Sequence, residues 1–246
     1  MISALKKETL EQYISIARTS PGIGTLLEVN SWLFVEKQNW LHFYLCEEGA
    51  LMLRGRDAFL VGGAESEELA CLLEFLGIER LLSKNTVPWG WKKQRTMYQM
   101  EYIGSEFVPH LPQGIEIDVS PSAMDVVKLL ESEGISGRNT EDFYSELCTK
   151  RNHSFATVWA VTMEQKFVAT AGAYAIANGW AYLAEVVTLP EFRNKGIGSA
   201  LCGALGKELH RQGNKVALLC STEKEEFYKR AGFVTKEKWC ITCKGE

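Results

Sequence analysis

A short polar loop near the C-terminal end of the chain, RNKGIG at residues 193–198, places two cations beside two glycines just before an apolar, helix-forming run. The start of a helix exposes unpaired backbone N–H groups and the positive end of the helix dipole. Glycine has no Cβ, so an anion can approach such a backbone closely. With Arg193 and Lys195 adding charge, the loop suits a phosphate or diphosphate group. A solvated basic turn has the same composition, so the surrounding sequence must decide.

Two other nucleotide-binding motifs fit this loop less well. The dinucleotide fingerprint G-x-G-x-x-G needs a third glycine, where this chain has Leu201. Its acidic ribose partner is expected about 20 residues further on, and Glu223 lies near that position, so this reading is weakened but stays open. The P-loop lysine follows its second glycine, whereas Lys195 precedes both, and the P-loop pattern is absent.

Two segments in order resemble the motifs of one enzyme superfamily. VVTLPEFRNKGIGSAL, residues 186–201, resembles the acyl-CoA signature R/Q-x-x-G-x-G/A of the GNAT N-acetyltransferases, which follows a strand. EEFYKRAGF, residues 225–233, resembles the later YEKxGF segment of that superfamily, with a helix and a strand between the two. The resemblance covers roughly residues 114–240. It implies an acetyl-CoA-dependent N-acetyltransferase that moves the acetyl group to a primary amine by direct attack, with acetyl-CoA as co-substrate.

The resemblance also implies where the coenzyme binds. Two neighbouring parallel strands, here about residues 182–189 and 215–221, would part at one end and admit the pantetheine arm, while the loop would hold the diphosphate. Relatives often have asparagine seven residues before the tyrosine of the second motif, where this chain has serine. The cofactor-binding residues implied in this way are Val186, Val187, Thr188, Arg193, Asn194, Lys195, Gly196, Ile197, Gly198, Ser199 and Ser221.

Two side chains are the catalytic residues that the resemblance implies. Tyr228 matches the tyrosine of the second motif, and its phenol would donate a proton to the departing thiolate. The alternative for Tyr228 is packing under the final helix. Glu185 is the only acid in the strand WAYLAEVVTL and would be the general base. The alternative is that Glu185 faces solvent and bulk water accepts the proton of the amine.

The order of elements predicts an α/β fold with a mixed sheet. After residue 114 we expect a strand, two helices, three antiparallel strands, a helix, a strand, a helix and a strand, with Asn178-Gly179 as a hairpin turn. The first half begins with a helix over residues 3–18 and continues as strands from about Ser31, a helix over residues 66–77 capped by Ser66, and further strands.

This first half loosely echoes the second and is expected to be a smaller, related, degenerate GNAT-like domain. The predicted boundaries are an N-terminal domain at residues 1–105, a proline-containing linker at residues 106–113 and a GNAT acyl-CoA-binding domain at residues 114–246. Because the first half has no second R-x-x-G-x-G pattern, a non-catalytic acyl-CoA-binding regulatory or sensor protein is the alternative to an enzyme.

Composition excludes several other classes of function. The 246 residues carry a formal net charge of −4, which attracts neither nucleic acid nor an anionic membrane. The start of the chain lacks a signal-peptide pattern, and no apolar run reaches about 18 residues. Seven cysteines without framework spacing favour reduced thiols in the cytoplasm, and neither the four histidines nor the lone Cys240-x-x-Cys243 predicts a metal. The expected partner is a small-molecule or peptide amine; oligomeric state stays open.

Overall fold

A computed structural model describes residues 1–36, 40–104, 115–134, 139–163 and 166–245. The chain divides into two compact units. Unit 1 comprises Met1–Gln99, Leu219–Thr222 and Lys236–Glu246, and unit 2 comprises Met100–Leu218 and Glu223–Thr235. The linker that the sequence predicts at residues 106–113 lies outside the described residues. No helix among the described residues is long and apolar enough to span a bilayer.

Unit 1 is built on a mixed sheet. Its elements are β1 (Ser3–Ala4), α1 (Leu10–Ala17), α2 (Ile23–Phe34), β2 (Leu41–Leu45), β3 (Glu48–Arg54), β4 (Asp57–Gly63), α3 (Ser66–Phe75), β5 (Arg80–Ser83) and most of β6 (Trp91–Tyr102). Strands β1 to β4 pair antiparallel in chain order, and β5 runs parallel to β4. The sheet is therefore an antiparallel meander extended by one parallel strand.

Unit 2 contains the predicted coenzyme loop. Its elements are β7 (Glu116–Asp118), α4 (Ala123–Ser132), α5 (Thr140–Asn152), β8 (Thr157–Met163), β9 (Lys166–Ala177), β10 (Trp180–Thr188), α6 (Ile197–Arg211), most of β11 (Lys215–Ser221), α7 (Glu225–Arg230) and the start of β12 (Phe233–Lys244). Strands β7 to β10 pair antiparallel in chain order, and β11 runs parallel to β10. The later part of β12 belongs to unit 1, where it pairs antiparallel with β5.

The two units repeat one order of elements. Each has a strand, two helices, three antiparallel strands, a helix, and a strand parallel to the third strand of the meander. In each, the first strand pairs antiparallel with the first strand of the meander. The mixed α/β fold and the related N-terminal unit are therefore as the sequence predicts.

The apolar core of unit 2 determines which helices cover each face of its sheet. Helices α4 and α5 bury one cluster against β8, β9 and β10, and that cluster includes Phe143, Tyr174 and Val187. Thr188 follows Val187 in the strand and so points to the opposite face. A Cβ at Gly198 of α6 would lie 3.0 Å from Thr188 Oγ1, which places the start of α6 on that face.

The sequence prediction is wrong for the first two helices. Residues 3–18 form β1, a 3-10 turn at Lys7–Thr9 and a helix only from Leu10. The sequence also does not predict helix α2 at Ile23–Phe34, and strands are expected from Ser31 where this helix continues. In α2 every side chain except Trp32 is buried, so the alternation of polar and apolar faces that reveals a helix is absent.

Candidate functional site

The end of strand β10 is irregular where the site is predicted. Among the described residues of β10 and β11, the parallel register runs from Trp180/Lys215 to Leu183/Leu218 and no further. On the other side of β10, the register with β9 shifts between Ala184 and Val187. This shift is a β-bulge, a feature that re-aims side chains and is over-represented next to active sites.

Glu185 lies inside the bulge in a left-handed conformation. Its φ is 51°, which is uncommon for a residue with a side chain. Ala184 and Val187 both pack on the cluster under α4 and α5, although strict alternation would put them on opposite faces. Counting residues along the strand therefore does not give the face of Glu185. Its side chain is half-buried, and its role as a base stays a prediction.

The predicted loop connects β10 to α6 without a side-chain cap. A 3-10 turn at Pro190–Phe192 is followed by Asn194 with φ 62° and by Gly196 with φ 78°. Gly196 is the N-cap of α6, and among the described residues no side chain caps this helix and no acid lies in its first turn. The backbone N–H groups at the start of α6 therefore keep the capacity to bind an anion.

The two glycines of the loop have different structural roles. A Cβ at Gly198 would lie 3.0 Å from Thr188 Oγ1 and 3.2 Å from Phe227 Cζ, so glycine lets α6 approach β10 and α7 closely. A Cβ at Gly196 would meet nothing within 4 Å, so glycine is needed there for its positive φ rather than for space inside the protein.

The two cations of the loop also differ. Arg193 donates from Nε to the carbonyl oxygen of Thr188 at 2.9 Å and from Nη2 to Oε2 of Glu133. Lys195 is exposed, and its ammonium lies 5.1 Å from the centroid of the Phe192 ring. The sequence motifs do not predict this role for Glu133, which lies 60 residues before Arg193. The only local signal was an acidic residue at the end of a helix, where the dipole favours a cation.

The remaining predicted cofactor residues divide by exposure. The side chains of Val187 and Ile197 are buried, so only their backbone groups are available to a ligand. Asn194 is exposed, and Ser199 Oγ donates to the carbonyl oxygen of Gly196 at 3.0 Å. The structure thus places residues 186–199 on one continuous strand–loop–helix segment of unit 2. Ser221 ends β11 in the part assigned to unit 1, and its contact with pantetheine stays a prediction.

Tyr228 lies on the short helix α7 with its ring packed among aromatic side chains. The ring meets Phe227 edge-on at 4.8 Å between centroids and Phe233 at 6.1 Å. The residue is buried. The packing that the alternative reading predicts is therefore present, and the role of the hydroxyl in catalysis stays a prediction.

The corresponding strand–helix connection of unit 1, from β4 to α3, is only two residues long, and a carboxylate of the chain binds at its helix start. The side chain of Glu65 accepts hydrogen bonds from the backbone N–H groups of Glu67 at 2.9 Å and Glu68 at 2.6 Å. The predicted cap, Ser66, instead donates from Oγ to the carbonyl oxygen of Val87 at 3.0 Å, so that prediction is wrong. Helix α3 begins at Ser66, so the N-cap position belongs to Glu65, whose side chain reaches two donors. The start of α3 is therefore already occupied by an anion of the chain.

Replacing Glu65 with alanine should lower the melting temperature at neutral pH and have little effect in acid. The N–H groups of Glu67 and Glu68 lower the pKa of Glu65 below its ordinary value. A lowered folded-state pKa contributes stability above the unfolded-state pKa, and this stability is lost as pH falls through the folded-state value. Glu67→Ala, which removes the same charge from the same turn, is the control. Equal melting temperatures for both variants at neutral pH would contradict the capping role.

No cluster of three or more His, Cys, Asp or Glu side chains able to hold a metal occurs among the described residues. All seven cysteines are free thiols. Cys243 Sγ donates to Oε1 of Gln94 at 3.0 Å, which is an ordinary structural contact. Both cysteines of the lone C-x-x-C pair thus lie on strand β12 in unit 1 as free thiols.

Comparisons with known proteins match part of the chain to a described family. Residues 154–235, which run from before β8 into β12, match a family model described as acetyltransferase (GNAT) domain. No curated protein matches the sequence.

Solved structures resemble the chain over its whole length. A tandem GNAT protein from the clavulanic acid biosynthesis pathway is 14% identical with a TM-score of 0.65, and the match covers 100% of this chain and 99% of that one. A GCN5-related N-acetyltransferase-like protein from Streptococcus suis is 15% identical with a TM-score of 0.64, over 96% and 98%. A GCN5-related N-acetyltransferase from Sphaerobacter thermophilus is 14% identical with a TM-score of 0.65, over 98% and 94%.

At these identities the structural likeness shows the fold, whereas the family model identifies the domain that contains the loop and Tyr228. Residues 154–235 therefore match the acetyltransferase (GNAT) domain, and the chain as a whole has the fold of a tandem GNAT protein.

Proposed function

We propose that this protein is an enzyme that transfers an acetyl group from acetyl-CoA to a primary amine. The GNAT family supports acyl transfer in general, and the proposal specifies the donor and the acceptor. The observation that carries it is the bulged strand β10 followed, after a short loop, by a helix start with no side-chain cap at Gly196. The backbone N–H groups of such a helix start can bind the diphosphate of acetyl-CoA. The strand that precedes it can pair with the pantetheine arm, which links the diphosphate to the thioester.

The proposed coenzyme site uses mainly backbone groups of unit 2. Backbone groups of Val186, Val187 and Thr188 pair with the pantetheine arm in the manner of an added strand. Backbone N–H groups around Gly196 and Gly198 bind the diphosphate, and Lys195 adds positive charge. This division explains why two of the predicted residues have buried side chains: their contribution does not require them to be exposed.

In the proposed reaction the amine nitrogen attacks the carbonyl carbon of the thioester, and the carbon–sulfur bond breaks without a covalent enzyme intermediate. Glu185 accepts a proton from the attacking amine, and Tyr228 donates a proton to the departing thiolate. The bulge supports the first assignment, because it gives Glu185 a strained backbone in the strand next to the loop.

The decisive experiment measures free thiol with purified protein, acetyl-CoA and a panel of small-molecule and peptide amines. Release that depends on one amine supports the proposal. Calorimetry with coenzyme A should give one equivalent per chain, because Glu65 occupies the corresponding helix start in unit 1. Binding without release for every amine would favour the alternative, a non-catalytic acyl-CoA-binding sensor protein. The absence of binding would contradict both.

Glu185→Gln should lower kcat about tenfold to a hundredfold, because the amide cannot accept the proton of the amine. The affinity for coenzyme A should change little. Glu191→Gln, which removes an exposed charge from the loop after β10, is the control. Equal kcat values for the two variants would mean that water accepts the proton.

A further inference from the structure

The guanidinium of Arg193 is held by the protein and is not a free cation of the loop. It binds the carbonyl oxygen of Thr188 and the carboxylate of Glu133. The Arg193 side chain is 53% exposed, whereas that of Glu133 is only 13% exposed. The carboxylate is therefore largely shielded from water. Because of this, solvent screens its attraction to Arg193 only weakly.

Glu133 stands at a position that disfavours a carboxylate. It is the C-cap of α4, whose last turn contains no basic residue. The end of a helix carries a partial negative charge, so an anion there is destabilised unless a cation lies nearby. Arg193 is that cation. The end of α4 therefore depends on the charge of Arg193, which the sequence motif assigns to the coenzyme loop.

We propose that Glu133 lowers the affinity of the loop for coenzyme A by competing with the diphosphate for Arg193. The inference rests on the proposed function, under which the diphosphate binds at the start of α6. An anion bound there places Arg193 between two negative groups. The free energy of binding then includes the cost of sharing or breaking the ion pair with Glu133 and the repulsion from its carboxylate. Lys195, in contrast, forms no ion pair with a carboxylate among the described residues, so its positive charge is available to the diphosphate.

This competition would speed the release of coenzyme A at the end of each catalytic cycle. An enzyme that uses coenzyme A as a carrier has to release the product thiol after each transfer, and product release limits kcat in many enzymes. A carboxylate that draws Arg193 back towards α4 favours that release. Glu133 is thus a residue that sets coenzyme affinity, and it acts through Arg193 rather than through contact with the substrate.

Calorimetry with coenzyme A on the full chain tests the competition. Glu133→Gln keeps an oxygen that can accept from Arg193 but removes the charge, and it should bind coenzyme A about threefold more tightly. When Arg193 is already replaced by glutamine, Glu133→Gln should increase the affinity for coenzyme A by less, because the guanidinium for which Glu133 and the diphosphate compete is absent.

Glu131→Gln is the matched control. Glu131 lies two residues earlier on α4, is exposed, and accepts a hydrogen bond from Thr140 Oγ1 at 2.8 Å rather than from Arg193. Its removal should leave coenzyme affinity unchanged. Melting temperatures show whether each variant is folded, and Glu133→Ser removes the same charge if the glutamine variant cannot be purified.

The inference is overturned if Glu133→Gln binds coenzyme A as the parent does or more weakly, because the ion pair would then only hold the loop in place. It is also overturned if Glu131→Gln gives the same gain. A parent protein that shows no binding would instead contradict the proposed function, so the two failures can be told apart.

Discussion

Gly196→Val is expected to lower the affinity for coenzyme A by about a hundredfold, whereas Gly213→Val leaves it unchanged. Gly196 has φ 78° as the N-cap of α6, and a β-branched side chain is a genuine outlier there. The loop of the variant must leave this conformation, which turns the first backbone N–H groups of the helix away from the diphosphate. The loss of one or two charge-assisted hydrogen bonds accounts for the magnitude. The measurement is calorimetry with coenzyme A.

Gly213, which lies just beyond the C-terminal end of the same helix, is a closely matched control. It follows the other end of α6 with φ 88°, and a Cβ there, as at Gly196, would meet nothing within 4 Å. Both substitutions should therefore cost similar stability, roughly 1–2 kcal/mol each, through backbone strain. Similar melting temperatures with affinities that differ would assign the effect to the loop. Parent-like affinity in Gly196→Val would mean that the diphosphate binds elsewhere.

The strand–loop–helix segment at residues 186–199 could be predicted from sequence because its determinants are local. A strand, a positive-φ glycine and a helix start lie within about a dozen neighbouring residues, and each has its own composition. The order of elements was predictable for the same reason. Helix α2 was not, because a helix buried on nearly all sides lacks the amphipathic pattern that distinguishes helices from strands.

Other parts of the site depend on contacts between residues distant in sequence. The conformation of Glu185 follows from a register shift between β9 and β10, and no pattern within β10 reveals such a shift. Glu133 meets Arg193 only because α4 packs near the end of β10. The later part of β12, expected to complete the C-terminal domain, belongs to unit 1 and pairs with β5, a partner some 160 residues earlier.

The two units differ in what lies at the start of the helix that follows the antiparallel strands. Unit 1 repeats the order of strand and helix seen in unit 2, but Glu65 caps its helix start, whereas the helix start in unit 2 has no side-chain cap. We expect a repeated unit whose own carboxylate caps this helix start not to bind a diphosphate there. The proposed donor site is therefore confined to unit 2, and the chain should bind one coenzyme A.

Tyr228→Phe should lower kcat about a hundredfold while the dissociation constant for coenzyme A stays near that of the parent. The substitution keeps the ring, and with it the edge-on contacts to Phe227 and Phe233. It removes only the hydroxyl that would donate a proton to the departing thiolate. Because this donation occurs as the carbon–sulfur bond breaks, kcat and kcat/KM should fall together. Steady-state kinetics at saturating acetyl-CoA provide the measurement.

Tyr102→Phe separates the chemical role of a phenol from its contribution to packing. Tyr102 is also buried in unit 2, and its ring lies 5.3 Å from that of Phe233, the same neighbour that Tyr228 contacts at 6.1 Å. If the aromatic cluster alone sustained activity, loss of either hydroxyl would have a similar small effect. A large loss confined to Tyr228→Phe assigns the proton to its hydroxyl. Equal rates in the two variants would leave Tyr228 a packing residue, with the thiolate protonated by water.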